Sequence, residues 1–155
     1  MMNRKQKIMA AAAGIVVALG VGTAAISSQN SSPVQGNGQL EELSPLEMKK
    51  FMKEDGTGFI MYSFNKNTHD VYMHGVKKAL KENDVDGREL SSNHPKYNHS
   101  KSQVYYGLTQ NGDTLAVYKN GEMKQQIDFE DYEPSDLEGE LSHFIETSKE
   151  LYFEE

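Results

Sequence analysis

The chain has 155 residues, with 16 basic and 23 acidic side chains, no cysteine and no tryptophan. This length allows one domain of ordinary size, and the lack of thiols excludes disulfide bonds, thiol chemistry and cysteine metal sites. The formal net charge of −7 argues against nucleic acid as a partner, because phosphate contacts require a basic face.

The first 28 residues have the layout of a secretory signal. Basic residues at the start precede an uncharged apolar run over residues 8–26, which ends in small residues of the kind that signal peptidase cleaves after. The run is close to the roughly 20 residues that cross a bilayer, so an uncleaved membrane anchor is the alternative. The positive-inside rule places the rest of the chain outside the cytoplasm in either case. The sequence therefore predicts an extracytoplasmic protein, either secreted or anchored to the cell membrane.

Residues 29–42 separate this segment from the remainder. Most of the stretch is polar and rich in Gly, Ser, Asn and Gln, without hydrophobic periodicity. Such a composition is typical of a flexible linker. We therefore expect the folded domain to occupy residues 43–155.

The first half of this domain predicts a helix, a strand and a second helix. Ser44 and Glu47 have the spacing of a capping box around Pro45, which favours a helix start. Residues 59–64 form a short apolar run between turn residues, as in a buried strand. From Asp70 the apolar residues recur mostly at helical spacing, with lysines toward the C-terminal end, where cations are favourable.

The second half contains the strongest local signal. Asn120-Gly121 is typical of a two-residue hairpin turn, and it lies between strands predicted at residues 114–118 and 123–127. Ser135-Asp136-Leu137-Glu138 has the pattern of a capping box, and the apolar residues after it predict a closing helix.

Two segments between these halves leave the topology open. Residues 88–101 are polar and without a pattern, and residues 104–108 fit either a strand or the end of a short helix. If 104–108 is a strand, it forms a three-stranded antiparallel meander with the hairpin. Otherwise the order of elements predicts an α/β fold whose sheet has mixed strand directions.

One stretch resembles a known family. Tyr106-Gly107-Leu108, a short loop and then Thr114–Glu122 (TLAVYKNGE) are similar to the YGI…PTL…FKNGE stretch of thioredoxins. The buried strand, redox loop and long helix of that family resemble residues 59–80, and the whole resemblance covers roughly residues 43–151. It implies a thioredoxin-like mixed sheet flanked by helices.

The chain departs from the family where its chemistry resides. Asn67-Thr68-His69-Asp70 stands in place of Cys-x-x-Cys, and Asp113 stands in place of the cis-proline that faces it. Disulfide exchange requires a reactive thiolate and a second thiol, so the resemblance implies a redox-inactive member without a cofactor. We predict a trans bond before Asp113, because a non-proline cis bond costs about 3–4 kcal/mol.

The residues at this position allow three interpretations. The first is structural, with Asn67 capping the following helix and Asp70 reaching back as in a capping box. The second is recognition of a peptide or protein by hydrogen bonding, on the surface that the family uses for its partners. The third is metal-assisted or acid–base catalysis by His69 with the two aspartates. The candidate binding residues are Asn67, Thr68, His69, Asp70, Asp113 and Thr114.

The C-terminal segment is strongly acidic. From Asp128 to Glu155 it carries eleven acidic residues, and Lys149 is its one lysine or arginine. This distribution is typical of a solvated helix face, and the alternative is a docking surface for a basic partner.

The expected function follows from the signal-like start, the family resemblance and the absent thiols. Together they predict an exported, redox-inactive binding or accessory protein. Its resemblance to cysteine-free or cysteine-poor exported proteins of Gram-positive bacteria implies that type of source. Its role would be in envelope assembly, secretion or maturation of another exported protein, and its partner an exported or envelope protein or peptide. An acid–base or metal-assisted enzyme that uses His69, Asp70 and Asp113 is the alternative.

Overall fold

Within residues 34–101 and 103–154, which the computed structural model describes, five strands form one sheet in the order β1-β3-β2-β4-β5. The strands are β1 (Leu40–Leu43), β2 (Gly58–Ser63), β3 (Gly87–Ser91), β4 (Thr114–Lys119) and β5 (Glu122–Asp128). The helices are α1 (Pro45–Lys53), α2 (His69–Glu82), α3 (Gln103–Tyr106) and α4 (Pro134–Tyr152), with a 3₁₀ turn over Phe129–Asp131. The predicted signal or anchor segment lies outside the described residues.

The sheet has mixed strand directions, as predicted. β3 is parallel to both β1 and β2, whereas β4 is antiparallel to both β2 and β5. The segment 103–106 is helical, so the alternative of a three-stranded meander that begins at residues 104–108 is wrong. The neighbours of β4 are β2 and the strand of its own hairpin.

Helices cover both faces of the sheet, so the central strands are buried on both sides. Along β2, Phe59 and Met61 pack in the cluster that also holds Val76 of α2 and Leu141 of α4. The alternate residues Ile60 and Tyr62 pack on the other face, in the cluster that holds Met48 of α1 and Tyr106 of α3. Strands buried on both faces read as continuous apolar runs, which is why the sequence predicted β2.

The folded unit begins earlier than predicted. Val34 is buried, and the Asp86 carboxylate accepts hydrogen bonds from the backbone N–H groups of Asn37 and Gln39, at 2.9 and 2.8 Å. β1 then pairs with β3. The prediction of a linker over residues 29–42 is therefore wrong from residue 34 onward, where the chain is part of the folded unit. Hydrogen bonds to distant residues hold this stretch in place, and its composition gives no sign of them. Residues 29–33 lie outside the described part of the chain.

The predicted helix starts have different outcomes. The capping box at α1 is confirmed, because Ser44 Oγ accepts from Glu47 N at 3.3 Å and Glu47 Oε2 accepts from Ser44 N at 2.7 Å. The box predicted at Ser135 is wrong. α4 begins two residues earlier than the box predicts, at Pro134, and its N-cap residue Glu133 makes no side-chain cap. The fixed φ of proline suits the first helical position and sets the start.

The hairpin turn is confirmed by its backbone. Asn120 and Gly121 both have positive φ, at 55° and 79°, as a type I′ turn requires. A Cβ at position 121 would lie 2.1 Å from the Met52 carbonyl oxygen. Gly121 is therefore required both by its conformation and by the close approach of α1.

We expect Gly139→Ala to stabilise the protein. Gly139 is exposed within α4, and a Cβ there meets nothing within 4 Å. Glycine in a helix interior costs about 0.5–1 kcal/mol relative to alanine, so urea denaturation of the full chain should show a gain of about that size. Gly121→Ala is the opposite control and should lower the free energy of unfolding. A loss of stability in Gly139→Ala would contradict the position of this residue in α4.

Candidate functional site

Two loops meet at the carboxyl end of β2 and form the β2–α2 corner, defined as residues 64–70 and 111–114. Asp113 joins them, since its Oδ1 accepts from the backbone N–H groups of Phe64 and Asn65 at 2.9 and 3.0 Å. Asp113 is buried and has φ of 56°, a left-handed conformation that aspartate tolerates better than most residues. All peptide bonds of the described residues are trans, which confirms the prediction for the bond before Asp113.

The start of α2 differs from its prediction. The N-cap position belongs to Thr68, and no side chain caps the helix there. Asn65 makes the turn, because its Oδ1 accepts from Asn67 N at 3.0 Å, an arrangement that mimics a backbone turn. The predicted cap by Asn67 is therefore wrong. The predicted reach-back by Asp70 is also wrong, because its carboxylate accepts from the His69 ring instead.

His69 lies between two carboxylates. Its Nε2 is 2.5 Å from Glu89 Oε1, and its Nδ1 is 3.0 Å from Asp70 Oδ1. Partial burial of the ring lowers the pKa of His69, but the hydrogen bonds and negative charges of Asp70 and Glu89 outweigh it and hold that pKa above its ordinary value. The raised pKa extends the pH range over which the ring is protonated, and in that form both nitrogens donate.

Glu89 is the residue that sequence reasoning missed. It lies on β3, in the segment that carried no pattern, and it is 7% exposed. Ser63 Oγ also donates to Glu89 Oε1, at 2.9 Å, so a hydrogen-bond chain runs from Ser63 through Glu89 and His69 to Asp70. Buried charges are normally paired, and Glu89 follows that rule. The one local signal near Glu89 is Gly87, a residue type that is frequent in turns, and β3 begins at that residue.

This geometry limits the chemistry of the corner. Both His69 nitrogens face carboxylates, so neither nitrogen can bind a metal or contact a substrate atom without first losing its carboxylate partner. The Asp113 carboxylate is also occupied, because its Oδ1 accepts hydrogen bonds from the backbone N–H groups of Phe64 and Asn65. Thr114 is fully buried, and its hydroxyl donates to Asn111 O at 2.7 Å. In the described part of the chain, no group of His, Asp and Glu side chains has the arrangement of a metal site.

The surface of the corner is polar with apolar edges. Asn65, Asn67 and Asp70 are exposed, and the large apolar side chain of Phe64 is 52% exposed beside them. A Cβ at Gly112 would lie 2.7 Å from Phe64 Cβ, so the two loops are in close contact. Of the six predicted binding residues, the structure thus places Asn67, Thr68, His69 and Asp70 at least partly at the surface, and Asp113 and Thr114 beneath it.

Comparison with known proteins adds little to this description. No protein-family model and no curated protein matches the chain. Among solved structures, a designed protein known from its crystal structure is 17% identical, with a TM-score of 0.41, over 69% of this chain and 98% of its own. A designed protein with NMR backbone assignments is also 17% identical, with a TM-score of 0.42, over 76% of this chain and 96% of its own. Both likenesses are too remote to bear on function.

Proposed function

We propose that the chain is an exported, redox-inactive, thioredoxin-like binding or accessory protein that acts in envelope assembly, secretion or maturation of another exported protein. The observation that carries this proposal is the β2–α2 corner. There Asp113, in the loop before β4, accepts from the backbone N–H groups of Phe64 and Asn65, in the loop that leads from the central strand β2 to α2. The strand order β1-β3-β2-β4-β5 with helices on both faces supports the thioredoxin-like assignment.

The thiol-free corner favours binding over chemistry. The chain has no cysteine, and the histidine of the corner is held between Asp70 and Glu89. What the corner offers to a partner is exposed amide and carboxylate groups, with the apolar ring of Phe64 at their edge. These groups suit hydrogen bonding to a peptide or protein, while the net charge of −7 opposes nucleic acid.

The proposal of export rests on the first 28 residues. Their positive start, apolar run and small-residue exit support a signal peptide or a membrane anchor. In the described residues, no helix combines the length and apolar character that a bilayer crossing requires. Fusion of residues 1–33 to a reporter enzyme that is active only outside the cytoplasm tests this part. An inactive reporter would refute export.

In vivo photo-crosslinking tests the binding role. A photo-crosslinking amino acid replaces Asn67 in the full chain, expressed in the source cells, and Glu146 on α4 serves as the control because both positions are exposed. We expect a distinct exported protein to be captured from position 67 and not from position 146. No capture from position 67, or equal capture from both positions, would refute binding at the corner.

A further inference from the structure

A groove separates α2 from the start of α4. Its volume is about 600 Å³, and apolar groups of Val71, Tyr132, Pro134 and Leu137 line it. Val71 is 60% exposed and Tyr132 36% exposed, although both are large apolar or aromatic side chains. Exposed apolar side chains that share one concave surface are typical of a binding site, whereas scattered ones are not.

The rim of this groove is acidic. Asp70, Glu130 and Glu138 line it, and no lysine or arginine does. Within the described residues Glu130 is exposed and forms no ion pair, while Glu138 pairs with Lys78 and Asp70 with His69. A second groove, which shares Tyr132 with the first, is lined by Asp128, Asp131, Glu140 and His143 and again by no lysine or arginine. Acidic side chains therefore line both grooves that Tyr132 borders.

We propose that the groove between α2 and α4 binds a peptide segment of a partner protein in which an apolar side chain is flanked by lysine or arginine. The apolar side chain fills the space beside Val71 and Tyr132, and the cations face Glu130 and its acidic neighbours. This inference rests on the proposed binding function and names the chemistry of the partner.

The sign of the charge selects this occupant. Anionic lipid headgroups and nucleic acid phosphates would meet like charge at Asp70 and Glu130. A second copy of this chain, docked through the same face, would oppose the two acidic rims. A cationic segment gains attraction from the rim, which mainly raises the association rate and makes it salt-dependent, while burial of its apolar side chain supplies affinity.

Fluorescence anisotropy with the full chain tests the proposal. The probe is a short labelled peptide of alternating lysine and leucine, compared with the lysine–serine and glutamate–leucine peptides of the same length. We expect the lysine–leucine peptide to bind most tightly and to weaken as salt increases. Equal binding of the lysine–serine peptide would contradict the apolar contact, and equal binding of the glutamate–leucine peptide would contradict the charge selection.

Matched variants locate the binding. Val71→Ser should raise the dissociation constant about tenfold, whereas Leu151→Ser should leave it unchanged, since Leu151 is equally exposed at 60% but lies outside the groove. Glu130→Gln should raise it about threefold, and Glu146→Gln should not. Equal effects within either pair would overturn the proposal. The crosslinking from Asn67 is scored independently, so a failed groove is distinguishable from a failed binding function.

Discussion

Replacement of Asp113 by alanine is expected to lower the free energy of unfolding by about 2–4 kcal/mol. The change leaves the backbone N–H groups of Phe64 and Asn65 without the one oxygen, Asp113 Oδ1, that accepts from both of them. We count this shared acceptor once, at about 1.5–3 kcal/mol, the value of a hydrogen bond to a charged group. The change also places alanine at a φ of 56°, which adds about 1 kcal/mol of strain. Urea denaturation of the full chain, followed by circular dichroism, measures this loss.

Asp113→Asn is the matched variant. Asparagine retains a carbonyl acceptor and tolerates the left-handed conformation, so we expect it to lose less than half of what alanine loses. If alanine and asparagine were equally destabilising, the negative charge would matter more than the acceptor geometry. If neither variant destabilised the protein, Asp113 would not hold the two loops of the corner together.

The second large effect is the pH dependence that His69 confers. The pKa of His69 is raised in the folded protein by Asp70 and Glu89, against the opposing effect of burial. Below the unfolded value of about 6.5 both states are protonated, and the ion pairs contribute in full. As the pH rises through the folded pKa, the folded state loses its proton and this contribution disappears. We therefore expect His69→Gln to cost about 1 kcal/mol more at pH 5.5 than at pH 9.

Comparison of wild type with His69→Gln across this pH range gives the measurement. The control is His143→Gln, because His143 is exposed on α4 and in the described residues forms no ion pair. The cost of this substitution should vary less with pH than the cost of His69→Gln. A constant cost of His69→Gln from pH 5.5 to 9 would contradict the ion pairs with Asp70 and Glu89. A cost that grew with rising pH would mean that the pKa of His69 is lowered in the folded protein.

Local signals in the sequence were informative where a residue's own backbone preference sets the structure. Asn120-Gly121 favours positive φ at both positions, and both residues have positive φ in the structure. Ser44 and Glu47 satisfy each other within one helical turn, so their capping box needs no distant partner. The buried strand β2 was predictable because both of its faces are apolar.

Other elements depend on partners that are distant in the sequence. β1 carries two exposed glutamates, and its identity as a strand comes from pairing with β3. β3 contains Glu89, which contradicts the apolar pattern expected of a strand buried between two neighbours. Its burial is explained by Ser63 and His69, which lie 26 and 20 residues away along the chain. No local pattern could reveal these contacts.

The candidate site was predicted in outline but not in its contacts. The resemblance implied one surface for residues 67–70 and 113–114, and the structure places Asp113 under the loop after β2 as the link between the two segments. The prediction of a cap by Asn67 failed because Asn65 makes the turn, so that α2 starts later than expected. Because α2 starts one residue later than predicted, Thr68 takes the N-cap position, where no side chain caps the helix.

Hydrogen exchange tests partner recognition at the β2–α2 corner. The amide exchange of the full chain is measured alone and with the purified protein that crosslinks to position 67. We predict that the partner slows exchange most in residues 64–70, with slowing also at 111–113, and leaves α1 unchanged. Unchanged exchange in residues 64–70, whether or not other residues slow, would contradict partner recognition at the β2–α2 corner.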